Sequence, residues 1–200
     1  MCAARDPRRQ RGLTLIEQIM FIVVVGIAAA GIVGVIGYAT RASTDPMIHK
    51  QALAIGEALL EEVQLMPFTY CDPDDPQAGT ANSATVGATG CSAGGVEAAG
   101  GEGAAPFGPE TRISAATPYD NVNDYHGFTM AGGIVDIAGN PVPIAELSSY
   151  TASVTVAGQA LGGVAASESL LITVTVTHPQ LNPSIVLNGY RVRYAPNALP

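Results

Sequence analysis

The chain has few basic side chains beyond its first twelve residues. Five lysines and arginines follow Gly12, against sixteen aspartates and glutamates, so this part carries a net charge of −11. Binding to a nucleic-acid backbone depends on lysine and arginine side chains that neutralise phosphates. The composition therefore argues against nucleic acid as a partner.

Motifs for catalysis or metal binding are also missing. The sequence contains no G-x-S-x-G, P-loop or dinucleotide-binding fingerprint. Its three histidines, His49, His126 and His178, lie far apart and without the spacing of a metal-ligand set. We therefore expect a protein that is not an enzyme and has no cofactor.

A long run near the N-terminus lacks charge altogether. The 21 residues from Ile19 to Ala39 contain no charged side chain, and at about 1.5 Å per residue a helix of this length spans the bilayer core. Residues 1–12 carry a net charge of +3, and basic flanks stay in the cytoplasm, so the rest of the chain is expected on the other side of the membrane. The run is too long for an ordinary secretory signal, and no A-x-A-like cleavage site follows it closely.

Glu17 is the only charged residue between Gly12 and Arg41. A carboxylate in a membrane is costly unless it meets a cation or takes up a proton. If the chain is cut before Leu13, the new α-amine lies at the depth of Glu17, in the same chain or in a staggered neighbour. Between neighbours, the pair would fix the axial register of a helical assembly. The alternative is an interfacial glutamate in contact with headgroups and water.

A second helical region follows the apolar run. Asp45-Pro46 either begins a new helix or lies at a kink in a continuous one. Residues 47–66 are amphipathic, and Pro67 is expected to end the helix. The apolar stripe, expected to pack on its own domain, consists of Ile48, Ala52, Ile55, Leu59, Val63 and Met66, widened by Leu53 and Leu60.

Residues 71–109 are poor in large apolar side chains and rich in Gly, Ala, Ser and Pro. This composition predicts a long loop rather than a core. Cys71 and Cys91 lie in the part expected outside the cytoplasm, where a pair of cysteines is typical of a disulfide. The bond would close a loop of about 20 residues and stabilise the fold by roughly 3 kcal/mol.

The C-terminal part contains four segments of alternating β-branched and aromatic residues, 128–137, 150–156, 170–177 and 185–194, which predict strands. Gly132-Gly133 interrupts the first segment, which is therefore a strand or a hairpin, and Asn188-Gly189 in the last fits a tight turn or a bulge. Short, locally joined strands predict an antiparallel sheet with one face on the amphipathic helix.

One oxygen-rich segment is a candidate for calcium, because hard cations take several carboxylate and carbonyl oxygens. It contains Asp120, Asn121, Asn123 and Asp124. The segment lacks the spacing and the terminal glutamate of an EF-hand. The alternative is a solvated turn whose side chains bond to its own backbone, and we assign no metal.

The N-terminal residues resemble the class III signal of type IV pilins and type II secretion pseudopilins. The shared pattern is a basic leader ending in Gly12, a hydrophobic residue and Thr14-Leu15-Ile16-Glu17 before an apolar helix. Leu13 replaces the more usual Phe. The resemblance implies that a prepilin peptidase cuts between Gly12 and Leu13 and methylates the amine of Leu13. It also implies that Glu17 neutralises a neighbour's N-terminus during assembly.

Other features point to a minor subunit of this family. Major pilins commonly carry a proline partway along the membrane helix, where this chain has Gly34 and its neighbours. Further segments are similar to minor pilins of mannose-sensitive haemagglutinin (MSHA) pili. These segments are 45–63 with Pro67-Phe68, 124–128, 175–179 and 189–194.

The pattern and the resemblance together imply an α+β, pilin-like fold, in which a long N-terminal helix packs on a C-terminal antiparallel sheet beside a Gly-rich, disulfide-tied loop. The expected regions are a cleaved leader (1–12), a transmembrane and assembly helix (13–40), an amphipathic helix (41–67), a Gly/Ala/Pro-rich loop (68–118) and a β-rich periplasmic domain (119–200).

The implied function is that of a minor pilin-like subunit, inserted in the inner membrane and involved in pilus assembly. Its implied partners are other pilin subunits, a prepilin peptidase, an inner-membrane assembly platform and the lipid bilayer. Two alternatives stay open. One is a minor pseudopilin of a type II secretion system, and the other is a membrane-anchored periplasmic binding domain.

Overall fold

The structure is a computed structural model that describes residues 14–97, 110–137 and 142–199. Its helices and strands are α1 (Leu15–Leu65), β1 (Thr129–Met130), β2 (Thr151–Gly158), β3 (Ser169–Thr177) and β4 (Ile185–Val192), with short 3-10 helices at Val122–Tyr125 and Ala145–Leu147. The chain divides into two compact units, Met1–Pro46 and Met47–Pro200. The expected combination of a long N-terminal helix with a C-terminal antiparallel sheet is confirmed.

Helix α1 has 51 residues and contains Pro46. Of the two alternatives that the sequence left open, a continuous helix is therefore correct, and a new helix beginning at Asp45 is not. The helix ends at Leu65, two residues before Pro67, because the residue before a proline is disfavoured in the helical conformation.

Residues 47–65 of α1 bury one face in the core of the second unit. Ala52 and Val63 are fully buried, Leu59 is buried, and the remaining stripe residues pack against this core partly buried: Ile48, Ile55, Leu60 and Met66. The predicted stripe is confirmed except at Leu53, which is 39% exposed. Leu60 lies beside Gly189 of β4, so the stripe is widened only toward the C-terminal end of the helix.

The sheet has the order β1-β2-β3-β4, and every neighbouring pair is antiparallel. Val154, Val174 and Leu187 lie at one level across β2, β3 and β4. Alternate side chains point to one face of a sheet, and here they form the core: Ala152, Val154 and Val156 of β2 and Leu170, Ile172, Val174 and Val176 of β3 are fully buried. The predictions for β2, β3 and β4 are confirmed within two residues at each end.

Two details of the strand predictions need correction. The first predicted strand, 128–137, is regular only at Thr129–Met130, because the chain turns at Gly133, whose φ of +107° few other residues adopt.

Asn188-Gly189 is neither a turn nor a bulge, since both residues stay in register opposite Thr173 and Ile172. A Cβ on Gly189 would contact the side chains of Gln64 and Leu60, so glycine lets α1 approach β4 closely.

The predicted bond between Cys71 and Cys91 is present, with the Cα atoms 5.4 Å apart. Ala78 and Ala81 are buried beside the two cysteines. The Asp75 carboxylate accepts hydrogen bonds from the backbone N–H and hydroxyl of Ser92. Within its described residues the segment therefore forms a small core of its own, contrary to the expectation from composition, because alanines and a disulfide fill little volume but pack closely.

Candidate functional site

The first candidate site is the start of α1. Thr14 directly precedes the helix, and its Oγ1 accepts a hydrogen bond from the backbone N–H of Glu17 at 3.4 Å. Threonine with glutamate three residues later has the spacing of a capping box, a role for Thr14 that was not predicted from the sequence. Glu17 lies in the first turn, where the helix dipole favours a negative charge. The predicted cleavage residues Gly12 and Leu13 lie outside the described residues.

The apolar part of α1 is suited to a non-aqueous environment. Leu15–Tyr38 has 24 residues and reaches a mean hydropathy of 2.9 over 18 of them, so it is long and apolar enough to cross a membrane, and none of these residues is buried. By length and composition it fits a membrane anchor or a signal sequence. A Cβ added at Gly26, Gly31, Gly34 or Gly37 would meet no atom within 4 Å, so these positions are open to close approach by another helix.

A buried ionic network lies within the second unit. Arg112 donates to both carboxylate oxygens of Glu62, from Nε to Oε1 at 2.6 Å and from Nη2 to Oε2 at 2.7 Å. The Tyr125 hydroxyl donates to Glu62 Oε1 at 2.7 Å. The hydrogen bond to Glu62 raises the pKa of Arg112, and burial raises the pKa of Tyr125. The network thus holds a fixed charge pair, which suits it to positioning rather than proton transfer.

An apolar groove of about 620 Å³ runs beside this network. Its apolar lining includes Ile55 and Leu59 of α1, Met66 just after the helix, and Met130 and Leu147. Its charged lining residues in the described part of the chain are Glu61, Glu62, Arg112 and Asp136. The lining is mostly apolar, so the groove could accommodate apolar side chains from another segment or molecule.

The predicted calcium candidates within residues 120–124 form hydrogen bonds with several different partners. Asp124 Oδ2 accepts the backbone N–H groups of Asp120 at 2.9 Å and of Asn121 at 2.6 Å, which is the local bonding expected of a turn. The amide of Asn121 donates to Thr69 Oγ1 at 2.6 Å, and the amide of Asn123 donates to Glu97 Oε2. Of the four candidates, Asp120 lies in a larger group of carboxylates.

We call this group, Asp72, Asp74, Glu110 and Asp120, the acidic cluster. Each residue contributes a carboxylate oxygen, and these oxygens all lie within 4.8 Å of one another. Asp72 and Glu110 are each only 6% exposed. The cluster was not predicted, because its members come from three separate segments of the chain. Only Asp72 and Asp74 are close to each other in the sequence.

Glu97 lies close to the acidic cluster and is 2% exposed. Burial, together with the negative charges of Asp124, Asp72, Asp120 and Glu110, raises its pKa from 4.5 to about 9. Glu97 is therefore protonated at neutral pH in the folded chain. A second group of potential ligands, Cys71, Asp75 and Cys91, offers no thiolate because the two cysteines are bonded to each other.

Comparison of the chain with protein-family models, curated proteins and solved structures gives no match. Among the described residues, the sequence expectation for function concerns the carboxylate of Glu17, which lies in the first turn of the apolar helix.

Proposed function

We propose that this chain is a minor pilin-like structural subunit of a type IV pilus, made as an inner-membrane precursor and processed by a prepilin peptidase. The observation that carries the proposal is the position of Glu17, in the first turn of a helix whose next charged residue is Arg41. The preceding residues, Gly12-Leu13-Thr14, resemble those of a class III signal, with Leu13 in place of the more usual Phe. Among minor pilins, the sequence resembles the D-type protein of MSHA pilus biogenesis.

Processing would change the electrostatics of the helix start. The leader carries +3, which keeps it in the cytoplasm. After a cut at Gly12, the segment from Leu13 to Thr40 retains only the new α-amine and Glu17 as charges. An amine at a helix N-terminus is unfavourable by itself because the dipole is positive there. Pairing with a carboxylate, in the same chain or in a neighbour, offsets that cost and leaves the segment neutral.

The exposed apolar surface of the N-terminal half of α1 supports the proposal that the subunit moves from the bilayer into a fibre. Large side chains are exposed throughout it, including Phe21 at 65% and Ile27 at 70%. Burying this surface, in lipid or among the helices of neighbouring subunits, is favourable at about 25 cal/mol per Å². The open glycine positions allow neighbouring helices to pack closely. In this proposal an assembly platform moves the subunit, and the chain itself carries out no chemistry.

Residues 47–199 fit exposure in the periplasm. The Cys71–Cys91 bond is of the kind that forms outside the cytoplasm. In the assembled pilus this domain would face outward while the apolar helices form the core. The same features fit a minor pseudopilin of a secretion system, and the two differ in the fibre that the subunit joins.

Substitution of Glu17 tests the proposal. Glu17→Ala and Glu17→Gln remove the charge, so we expect leader cleavage to continue while the amount of subunit in sheared pili falls at least tenfold. Glu17→Asp keeps the charge and should restore part of the incorporation. The matched control is Glu57→Gln, an exposed glutamate elsewhere on α1, which should incorporate like the unmodified chain. Normal incorporation of Glu17→Ala would contradict the pairing.

A further inference from the structure

Strand β4 (Ile185–Val192) lies at one edge of the sheet, and its outer side is open. At the opposite edge, β1 has only two residues, whereas all eight residues of β4 stay in register with β3. Among the described residues, no backbone hydrogen bond joins β4 to any element other than β3. Edge strands are usually protected by shortness, proline or a bulge, and β4 has none of these, so it can accept another strand.

One hydrogen bond identifies the backbone groups that point outward from this edge. The N–H of Arg193 donates to the carbonyl of Glu168 at 3.0 Å, which continues the ladder between β3 and β4. Along an antiparallel ladder, hydrogen-bonded pairs alternate with pairs that are not bonded. The N–H and C=O groups of every second residue of β4 therefore point away from β3. These residues are Val186, Asn188 and Tyr190, and their side chains are exposed as well.

Arg191, near the end of β4, is a cation that no anion in the described part of the chain neutralises. Its Nε atom is buried and has no hydrogen-bond partner there, and its guanidinium carbon lies 5.0 Å from the centre of the Tyr194 ring. Arg193, by contrast, forms an ion pair with Glu168 at 2.9 Å. A partly buried guanidinium without a carboxylate is costly. This end of the edge therefore favours an acidic group from outside the chain.

We propose that β4 binds an extended, acidic segment of another protein chain, which adds an antiparallel strand to the sheet and places a carboxylate against Arg191. Backbone hydrogen bonds to the open edge give affinity, and side chains at alternate positions give selectivity. Because Arg191 bonds to β3, it forms a pair without hydrogen bonds with the residue opposite, where side chains approach most closely. Val186 and Tyr190, exposed on the other face of the strand, provide apolar and aromatic contacts.

A second copy of this chain fits the edge less well. Strand β4 contains no acidic residue, so another β4 paired with it would leave Arg191 without a carboxylate. This inference goes beyond the proposed function, since it requires neither leader cleavage nor assembly into a fibre, and it can fail or succeed independently.

Titration of the full chain in detergent with a synthetic peptide tests the edge. The peptide has about nine residues, the length of a strand, in which valine alternates with threonine and one glutamate replaces a threonine near the N-terminus. We expect saturable binding, and amide hydrogen exchange measured by NMR should slow at Val186, Asn188 and Tyr190. The amides of Leu187 and Gly189 bond to β3 and should exchange slowly before the peptide is added. A control peptide with lysine in place of glutamate should bind at least about fivefold more weakly.

Variants of the chain separate the contribution of charge from that of the backbone. Arg191→Glu should reverse the preference, so that the lysine peptide binds at least about fivefold more tightly than the glutamate peptide. Asn188→Pro removes an outward N–H without removing a bond to β3, and it should weaken binding of both peptides by about tenfold. The matched control is Lys50→Gln, which removes an exposed cation from α1 and should leave both affinities unchanged.

The proposal is overturned if the glutamate peptide gives no saturable binding, or if it binds without slowing exchange at the three outward amides. Equal affinities of the unmodified chain for the glutamate and lysine peptides would also overturn it, because the charge of Arg191 would then have no role. Slower exchange at these amides as the protein concentration rises, without any peptide, would identify a second copy as the occupant and would contradict the proposal as well.

Discussion

Arg112 and Glu62 form a two-point ion pair, with N···O distances of 2.6 and 2.7 Å. Their side chains are only 9% and 12% exposed, and the residues are 50 positions apart in sequence. Arg112 also donates to the backbone carbonyl of Val135 at 3.0 Å. The pair thus connects the amphipathic half of α1 to both chain segments that flank β1.

Breaking this pair from one side should be strongly destabilising. Arg112→Met leaves the Glu62 carboxylate buried without its cation, and removing one partner of a buried pair costs about 3–5 kcal/mol. The double variant Arg112→Met/Glu62→Met should recover part of that loss, because no uncompensated charge remains. The free energies of unfolding are measured by denaturant titration of the full chain in detergent. A double variant less stable than Arg112→Met would contradict this reading, and Glu61→Gln, an exposed neighbour, serves as the control.

The raised pKa of Glu97 predicts a pH dependence of stability. Between pH 4.5 and about 9, the folded chain keeps a proton on Glu97 that the unfolded chain has lost. Unfolding then releases one proton, so the free energy of unfolding should fall as pH rises through this window, by at most about 1.4 kcal/mol per pH unit from this group. Glu97→Gln is always neutral and should remove that part of the slope. An unchanged slope in the variant would show that Glu97 does not titrate in this way.

Loss of the disulfide should act mainly on residues 71–91. Replacing Cys71 and Cys91 by serine removes a cross-link that closes a loop of about 20 residues, which predicts a loss of roughly 3 kcal/mol. Hydrogen exchange should increase in residues 72–97 and stay slow in β2 and β3, whose core is formed by other side chains. Uniformly faster exchange across the sheet would mean that the segment is not a separate small core.

Gly189 offers a test of the contact between α1 and β4. Gly189→Ala places a methyl group against Gln64 and within 3.0 Å of Leu60 Cδ1, and overpacking of this kind costs about 1–3 kcal/mol. Gln64→Ala should relieve part of the effect. The control is Gly132→Ala, where an added Cβ meets nothing within 4 Å and stability should hardly change. Equal effects at the two glycines would contradict the close approach.

Local patterns predicted the regular elements well. The alternating residues of β2, β3 and β4 and the stripe at Ala52, Leu59 and Val63 were identified from their periodicity, because each side chain's burial follows from its own element. Compartment reasoning identified the cysteine pair. The shortness of β1 could not be predicted, since it depends on the backbone conformation at Gly133.

The candidate sites were predicted less completely. Glu17 stands out in the sequence because it is a charge beside an apolar run, but the Glu62–Arg112 pair has no local signal. The acidic cluster joins residues that are up to 48 positions apart in the sequence, and only the fold brings them together. Asn188-Gly189 carried a turn signal, yet the glycine serves packing against α1, which a short sequence window does not contain.

The intact mass of the chain recovered from cell membranes tests the central claim most directly. The account predicts a chain that begins at Leu13, without Met1–Gly12 and with one added methyl group on its N-terminal amine. Cells that lack the prepilin peptidase provide the matched control and should yield the longer, unmethylated chain. A chain that keeps its leader in cells with an active peptidase would contradict the account and would favour a membrane-anchored periplasmic domain.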